Sequence, residues 1–562
     1  MKYELIGSNN YHEDIINEIF KNRGIKNYEE VLSVSKDAEL DYNLLDNIDE
    51  AVECLIEHLD NKDDILVVVD SDTDGNTSAA MLINYINLIY ENSRISWVVH
   101  DKKQHGLSDI QVYGNIKLVI IPDAGSNDYE YHKNLKERGI DCIILDHHMC
   151  ERYSTDAIVV NNQMSKNYPN KQLSGVGVTY KFIQALDEIV WKDYSFGFLD
   201  LVSLGNIADS MNLSNLETRY YVKEGLNCVT NPFILALMDK QRFSLGDNVT
   251  ITGIMFYIAP LINAMIRVGS YKEKEEMFKA FLGNNDLVTY KSRGVDKEDF
   301  FSNYVARNCV NTKARQKREV DKLINKLNTI IKENKYYEDN IIVIDGSVIL
   351  DDKNGGLTGL IATKIAEEYH KPTILLHGKE ILNGSARGYG GEFDFKDIVN
   401  GTKLVEFAEG HQFAFGVSIK RECLTQFKES LNDKLKNYIG EKVYNVDFIL
   451  QPSDITYELV DNIYSLKNEY CKGIEEPLLC IENIEIPIEN VKLMGKNKNT
   501  IKIETEEVSY VKFFTNEDRY NEIINKNING ILRFNIIGKA SMNEYNGNCI
   551  PQIIIEDYEV LN

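Results

Sequence analysis

The sequence predicts an α/β protein: an open parallel sheet covered by helices, a helical connector, a second and smaller αβ unit, and a small β-barrel at the C-terminal end. Three observations carry that expectation. Val/Ile-rich runs of strand length alternate with helix-sized intervals between residues 64 and 162, the texture of strands buried on both faces. The alternation returns, more briefly, between 340 and 419. After about residue 440, five candidate strands fall within about 85 residues, as a five-stranded barrel requires.

The elements follow in order. The first ~60 residues read as a polar helical cap, with Ile15, Ile16, Ile19 and Phe20 at helix spacing. Five apolar runs then mark strands: ILVVVD (65–70), ISWVVHD (95–101), LVIIPD (118–123), CIILDHH (142–148) and AIVVNN (157–162). From Ser203 to about Lys335 the chain reads as mostly helical. Its last part, 307–335, carries nine Lys/Arg against three Asp/Glu, and Val320, Leu323, Ile324, Leu327 and Ile331 make an apolar stripe. That basic face is either a guide for a nucleic-acid backbone or simply a solvated amphipathic face, and the pattern favours neither. The second αβ unit comprises strand 340–346, helix 356–369 and strands 372–378, 381–388 and 413–419. In the barrel, Tyr510, Phe513, Phe514 and Phe534 are candidates for stacking on bases, although alternating aromatics are more often core. The expected domains are therefore 1–60 (cap), 61–215 (parallel sheet), 216–336 (connector), 337–445 (second αβ unit) and 446–562 (barrel).

At 562 residues the chain exceeds one hydrophobic core, and 43% hydrophobic with 27% charged residues is ordinary globular composition. A net charge of −25 excludes a protein that coats nucleic acid or anionic membrane with its whole surface. It leaves room for a local basic track, and carboxylates gathered around cations would add to the excess. Nine cysteines without a CxxC pair disfavour structural zinc and a disulfide framework. The start, MKYELIGSNNYHED, has no signal pattern, and no run of about 18 apolar residues stands out. A cytoplasmic protein with no membrane partner is expected.

Three of the strand-like runs end in aspartate: Asp70, Asp123 and Asp146. In an open parallel sheet, residues just past neighbouring carboxyl ends share one crevice. His147 and His148 would share it too. Such a cluster repels itself unless cations neutralise it, and oxygen ligands with one imidazole suit Mn2+ or Mg2+. The first strand continues as DSDTDGNTSA, placing Asp70, Asp72 and Asp74 in alternation, with Gly75 expected to turn the chain into a helix starting at Asn76. A calcium hand is disfavoured, because position 12 counted from Asp70 is Met81, not glutamate. Asp209, in LGNIADSMNL, follows an apolar helix-like stretch, so spacing alone allows either a buried cap or a ligand.

Together these segments resemble the DHH phosphoesterase superfamily, and the whole chain resembles its RecJ branch of single-strand-specific exonucleases. The motifs are DSDTDG (70–75), IPDAGS (121–126), LDHH (145–148), SGVGVTYKF (174–182) and LGNIADSMNL (204–213). RecJ-like counterparts also exist for NRGIKNYEEVLS, PLINAMIR (260–267), NTKARQ (311–316), GLTGLIATKIAEEYHKPTILL (356–376), NGSARG (383–388) and EGHQFAFG (409–416). KGIEEP (472–477) and NEYNG (543–547) match the RecJ-type oligonucleotide-binding (OB) barrel. Two positions depart from the pattern: Leu261 stands where the family has an arginine, and Glu409 replaces the first of two glycines.

The resemblance implies a DHH domain, a DHH-associated substrate-binding domain and an OB-like barrel. It implies that Asp70, Asp72, Asp123, His147 and Asp209 hold two Mn2+ or Mg2+ ions, with Asp123 bridging and Asp74 a ligand or support. His148 would bind the phosphate or assist proton transfer, and Asp146 would orient the imidazoles. Arg387, His411 and Ser385, with Asn263 and Arg267, would contact substrate. For Arg387 a surface salt bridge is the competing role, and for His411 a core position. The implied activity is metal-dependent 5′-to-3′ digestion of single-stranded DNA to mononucleotides, in recombination or repair, with single-strand-binding protein or a helicase as candidate recruiters. The alternatives are a short-oligonucleotide or cyclic-dinucleotide phosphodiesterase and a non-catalytic single-strand-binding scaffold. Relatives of the latter kind lose metal aspartates, whereas the metal aspartates stand here.

Overall fold

Five strands rich in Val and Ile, β1 (Asp64–Val69), β2 (Arg94–Val99), β3 (Ile116–Pro122), β4 (Asp141–Asp146) and β5 (Ile158–Asn161), form one wholly parallel sheet in the order β2-β1-β3-β4-β5. The five apolar runs are these strands. The computed structural model describes residues 1–561 apart from 103, 109, 247–248, 293, 352–353, 391–392, 439, 506 and 546–547. Asn546 and Gly547 of the NEYNG segment therefore lie outside the described residues.

One face of the sheet presents Leu66, Val68, Val119, Ile121, Cys142, Ile144 and Val159 to a core closed by Leu107, Leu135 and Ile140. The intervening Ile65, Val67, Val69, Ile120 and Ile143 are also fully or almost fully buried, which is why the strands read as continuous apolar runs without alternation. Helices α1 (Ile48–Asp60), α2 (Thr73–Ile89), α3 (Gly175–Val190) and α4 (Leu199–Ala208) belong to the same compact unit, residues 33–330 with 346–361. Because β1 is followed in sequence by β2 on one side and neighbours β3 on the other, the sheet reverses direction between β1 and β3. Ligands of such sheets bind at that point, beyond the carboxyl ends. Asp70 and Asp123 are the first residues past those two ends.

The segment Ile251–Val268 is, by length and composition, apolar enough to cross a membrane, with 56% of it buried in the unit. It contains no long uninterrupted apolar run, because Thr252, Asn263 and Arg267 break the pattern. Its last part is α5 (Ala259–Val268), which buries Leu261, Ile262 and Met265. The basic segment belongs to α6 (Phe301–Glu333). Its stripe of Val320, Leu323, Ile324, Leu327 and Ile331 is buried, while Lys317, Arg318, Lys322 and Lys326 are exposed.

The second compact unit comprises residues 1–32, 331–345 and 362–562. The first 60 residues are thus divided between units: strand Lys2–Leu5 pairs in parallel with Val443–Val446, whereas α1 lies with the parallel sheet. The smaller αβ part carries β6 (Ile342–Asp345), β7 (Thr373–Gly378), β8 (Ile381–Arg387), β9 (Val405–His411) and β10 (Ala414–Lys420) in the order β9-β10-β8-β7-β6. β9 has no apolar run to announce it because it is an edge strand with most side chains exposed. In the C-terminal part all five expected segments are strands. Phe448–Leu450 and Val491–Met494 join them in a seven-stranded mixed sheet. Tyr510 and Phe534 are core at 1% exposure, while Phe513 and Phe514 stand outward at 45% and 97%.

Candidate active site

The first motif leaves β1 and enters α2 after only three residues, Asp70 to Asp72. The helix starts at Thr73, not Asn76, because Asp72 serves as its N-cap and accepts a hydrogen bond from Gly75 N at 2.8 Å. Gly75 therefore sits in the first turn. It is glycine for lack of room: a Cβ there would lie 2.5 Å from Asp70 Cβ and 2.9 Å from the Asp70 backbone. Asp70 is buried and accepts from Gly106 N at 2.9 Å, and its other oxygen lies 2.6 Å from His105 Nδ1. Asp74 points inward and accepts from Ser174 Oγ, Gly175 N and Val176 N at 2.9, 2.6 and 3.2 Å. The first-motif carboxylate thus caps α3, which explains the SGVGV sequence. Burial pushes the Asp74 carboxyl up to about 6.

Asp123 is the most constrained residue of the cluster. Its backbone is left-handed at φ 73°, held by a hydrogen bond from its N–H to Leu145 O at 2.7 Å. A Cβ on Gly175 would come within 2.5 Å of Asp123 Cα, so the start of α3 can pass this close only as glycine. Both carboxylate oxygens of Asp123 are buried and accept no hydrogen bond among the described residues. Burial first, and then the charges of Asp74, Asp72 and Asp70, raise its pKa well above the usual carboxylate range. An acid in this position lacks a counter-charge.

The end of β4 supplies the imidazoles. Asp146 accepts from His147 N, His148 N and His148 Nδ1 at 2.7, 3.1 and 2.8 Å, and from Ser126 N at 3.0 Å. Burial opposes its ionisation, but these bonds and the nearby histidines hold its pKa well below the ordinary value. His147 is pushed down to about 4 by burial and by His148, so its ring is neutral near pH 7. Its Nε2 lies 3.3 Å from Asp123 Oδ1 and 3.5 Å from Asp209 Oδ2. His148 is raised to about 9: burial lowers it, but the Asp146 hydrogen bond and charge outweigh that. It is therefore a cation with a half-exposed side chain. Asp209 is the C-cap residue of α4, so the cap reading and the ligand reading describe the same position.

At this end of the sheet the described residues form three sets, each with its ligand atoms within 4.8 Å of one another: Asp70, Asp72 and His105; Asp123, Asp146, His147 and His148; Asp74, His147 and Asp209. Buried carboxylates with a neutral imidazole and orphaned oxygens on Asp123 are the donor set a hard divalent cation neutralises. The residues present therefore fit such an ion. His105 was not legible in the sequence; a lone loop histidine before Gly106 carries no pattern, and its closeness to Asp70 arises only in the fold.

The proposed substrate contacts fall into two sets. Asn263 Oδ1 accepts from Thr73 Oγ1 at 3.2 Å, and Arg267, on the same helix, has its pKa lowered by burial while feeling the charge of Asp72. Leu261 is buried at 5%, so the position where the family has arginine faces the core here. In the other unit, Arg387 and His411 both pair with Ala414, from β8 and β9 on either side of β10. Arg387, Ala414 and His411 thus share one rung and one face, with Ser385 two residues along. Arg387 also lines a cavity of about 730 Å³ with His370, Tyr389, Phe413 and Lys442. His411 is exposed on its edge strand, which removes the core reading for it.

The comparisons with known proteins agree with this geometry. Residues 64–206 match the DHH family, N-terminal domain, and residues 446–557 match the RecJ OB domain. A protein of Bacillus phage SPbeta, assigned as a single-strand DNA-specific exonuclease, is 43% identical over 572 residues, covering 100% of this chain and 98% of that one. The chain belongs to the RecJ-like exonucleases of the DHH family. RecJ of Bacillus subtilis is 26% identical over 91% of this RecJ-like chain and 63% of its own length. The fold is shared with a crystal structure of RecJ in complex with Mn2+ from Thermus thermophilus, at a TM-score of 0.73 and 18% identity, covering 96% of this chain and 75% of that one. Membership makes the chain a nuclease of the hydrolase class, and its clustered carboxylates and imidazole have the ligand types that fit a divalent cation.

Proposed function

We propose that this chain digests single-stranded DNA from the 5′ end to mononucleotides, using two divalent cations, Mn2+ or Mg2+, held by Asp70, Asp72, Asp123, His147 and Asp209. Asp74 supports them. The observation that carries the reading is Asp123, a fully buried carboxylate at the sheet's switch point with two unsatisfied oxygens, beside a neutral imidazole. The names of the relatives supply the substrate class.

Cations held there supply Lewis-acid activation of the phosphate and a water of lowered pKa. The chain's own residues do the rest. Asp146 fixes both histidines by three hydrogen bonds, from His147 N, His148 N and His148 Nδ1, and is itself held by a fourth from Ser126 N. His147, neutral, keeps a lone pair for coordination. His148, cationic, offers its second ring nitrogen to a phosphate oxygen or a departing alkoxide. Arg387 clamps a phosphate with two parallel N–H bonds, and His411 and Ser385 flank it on the same sheet face. Asn263 and Arg267 would contact the strand beside Asp72. A role in recombination or repair, with single-strand-binding protein or a helicase as recruiter, follows from the same kinship.

The test is digestion of single-stranded DNA and RNA labelled at either end, with 5′ phosphate or 5′ hydroxyl, in Mn2+, Mg2+ or chelator. Label leaving the 5′ end first as mononucleotide, from DNA and only with metal, is the expected result. Release from the 3′ end first overturns the polarity, and equal digestion of RNA overturns the substrate choice.

A further inference from the structure

A second group of metal-ligating side chains lies at the other end of the parallel sheet. Asp141 opens β4, at the end opposite Asp146. Cys54 and His58 stand four residues apart on α1, so both side chains fall on one helix face. The Cys54 sulfur, a His58 ring nitrogen and an Asp141 carboxylate oxygen all lie within 4.8 Å of one another.

The imidazole is already oriented. Its Nδ1 is 2.8 Å from Asp63 Oδ2, while the Asp63 backbone N–H donates to His58 O at 2.9 Å. The contact is thus a closed local loop at the helix end. Its Nε2 faces Asp141 Oδ2 at 3.1 Å. With Nδ1–H donated to Asp63, Nε2 presents a lone pair towards a carboxylate oxygen and a thiol. A carboxylate that locks the distal nitrogen of a ligand histidine is the usual support of a metal site. A histidine cation bridging Asp63 and Asp141 would satisfy the two carboxylates without metal, but it gives no reason for a sulfur at the same centre. The thiol, the imidazole and the Asp141 carboxylate thus converge on one centre, with Asp63 holding the far side of the ring.

We propose that Cys54, His58 and Asp141 bind a zinc-class divalent cation, with Asp63 as the positioning residue. Binding exchanges the thiol proton, released to solvent, for a sulfur–metal bond; imidazole Nε2 and one carboxylate oxygen complete three protein ligands, and water takes the fourth place. Ligand separations in a tetrahedral site with bonds of ~2.0–2.3 Å are roughly 3.3–3.8 Å, so side-chain adjustments of about 1 Å close it. Thiolate selects zinc over the Mg2+ and Mn2+ that suit the oxygen-rich catalytic cluster. The ion would tie α1 to the amino end of β4, away from the catalytic aspartates.

The experiment adds Co2+ to the metal-stripped full chain and follows the near-ultraviolet sulfur-to-cobalt charge-transfer absorption, which the catalytic cluster, having no thiolate ligand, does not produce. The band is expected to saturate as Co2+ is added, and Zn2+, but not an equal excess of Mn2+ or Mg2+, to bleach it. Cys54→Ser should abolish the band, and Asp141→Asn, at a largely exposed side chain, should weaken Co2+ binding. Asp63→Asn should weaken it by about 10–100-fold. Cys150→Ser, near Asp146, should leave the band intact. Unfolding temperatures of the metal-stripped variants matching the parent confirm that the fold is retained. No band in the parent protein, or an undiminished band in Cys54→Ser, overturns the proposal.

Discussion

Replacing Asp123 by Asn should stabilise the metal-free protein while removing its response to metal. Buried carboxylates crowd one another around β1 and β3. Burial moves Asp74 from 3.8 to about 6, roughly 2 pKa units or about 3 kcal/mol against the ionised form at neutral pH. The sign is that of a raised folded pKa. The contribution to stability is present below pH 3.8 and is lost as pH rises through 6. Asp123 is shifted in the same direction by burial and by its three acidic neighbours. An amide there removes one charge from the cluster, can donate to a neighbouring carboxylate, and suits the left-handed backbone at φ 73°. Relief of about 1–3 kcal/mol should raise the unfolding temperature in chelator at pH 8 by several degrees, at about 2–4 °C per kcal/mol. Mn2+ should then stabilise the parent protein strongly and the variant hardly at all. A variant less stable than the parent in chelator, or one with the parent's Mn2+ response, would refute this electrostatic account.

Other expectations follow from packing and charge. Gly175→Ala should cost about 1–3 kcal/mol in urea unfolding and cut activity further than stability, because the added Cβ meets Asp123 at 2.5 Å from its Cα; an active, equally stable variant would show that α3 can shift. His132 is buried and lowered to about 4 from 6.5. For this depressed base the unfolded chain binds the extra proton between those values, so stability should fall as pH drops from 6.5 towards 4. His132→Gln should lessen the pH 5 versus pH 7 difference measured by denaturant titration. Arg387→Ala should lower kcat/KM on single-stranded DNA by about 10–100-fold, and Arg387→Lys should recover only part, since an ammonium cannot reproduce the paired N–H geometry.

What the sequence disclosed follows from what kind of signal each feature leaves. Strands buried on both faces appear as apolar runs, so the parallel sheet and its aspartate-tipped ends were legible, and with them the meeting of Asp70, Asp123 and Asp146. The start of α2 lies three residues before the expected Asn76 because Gly75 reads as a turn residue, whereas its role is to let the helix pass Asp70. β9 leaves no signal because an exposed edge strand needs no apolar alternation, so the sequence leaves a core position open for His411 beside the substrate contact. His105 reaches Asp70 through a loop whose path no local pattern records. Tyr510 and Phe534 proved core while Phe513 and Phe514 did not; strand alternation alone cannot tell which face of a small sheet is covered.

The measurement closest to the central claim is the initial rate of mononucleotide release from single-stranded DNA by the parent protein and Asp123→Asn, across a range of Mn2+ concentrations and in chelator. If the buried carboxylate cluster holds the catalytic cations, chelator abolishes the parent's activity. The folded variant should then fall by at least about 10³-fold, roughly 4 kcal/mol of lost transition-state stabilisation, with no recovery at high Mn2+. Activity within tenfold of the parent, or a parent enzyme indifferent to chelator, would contradict it.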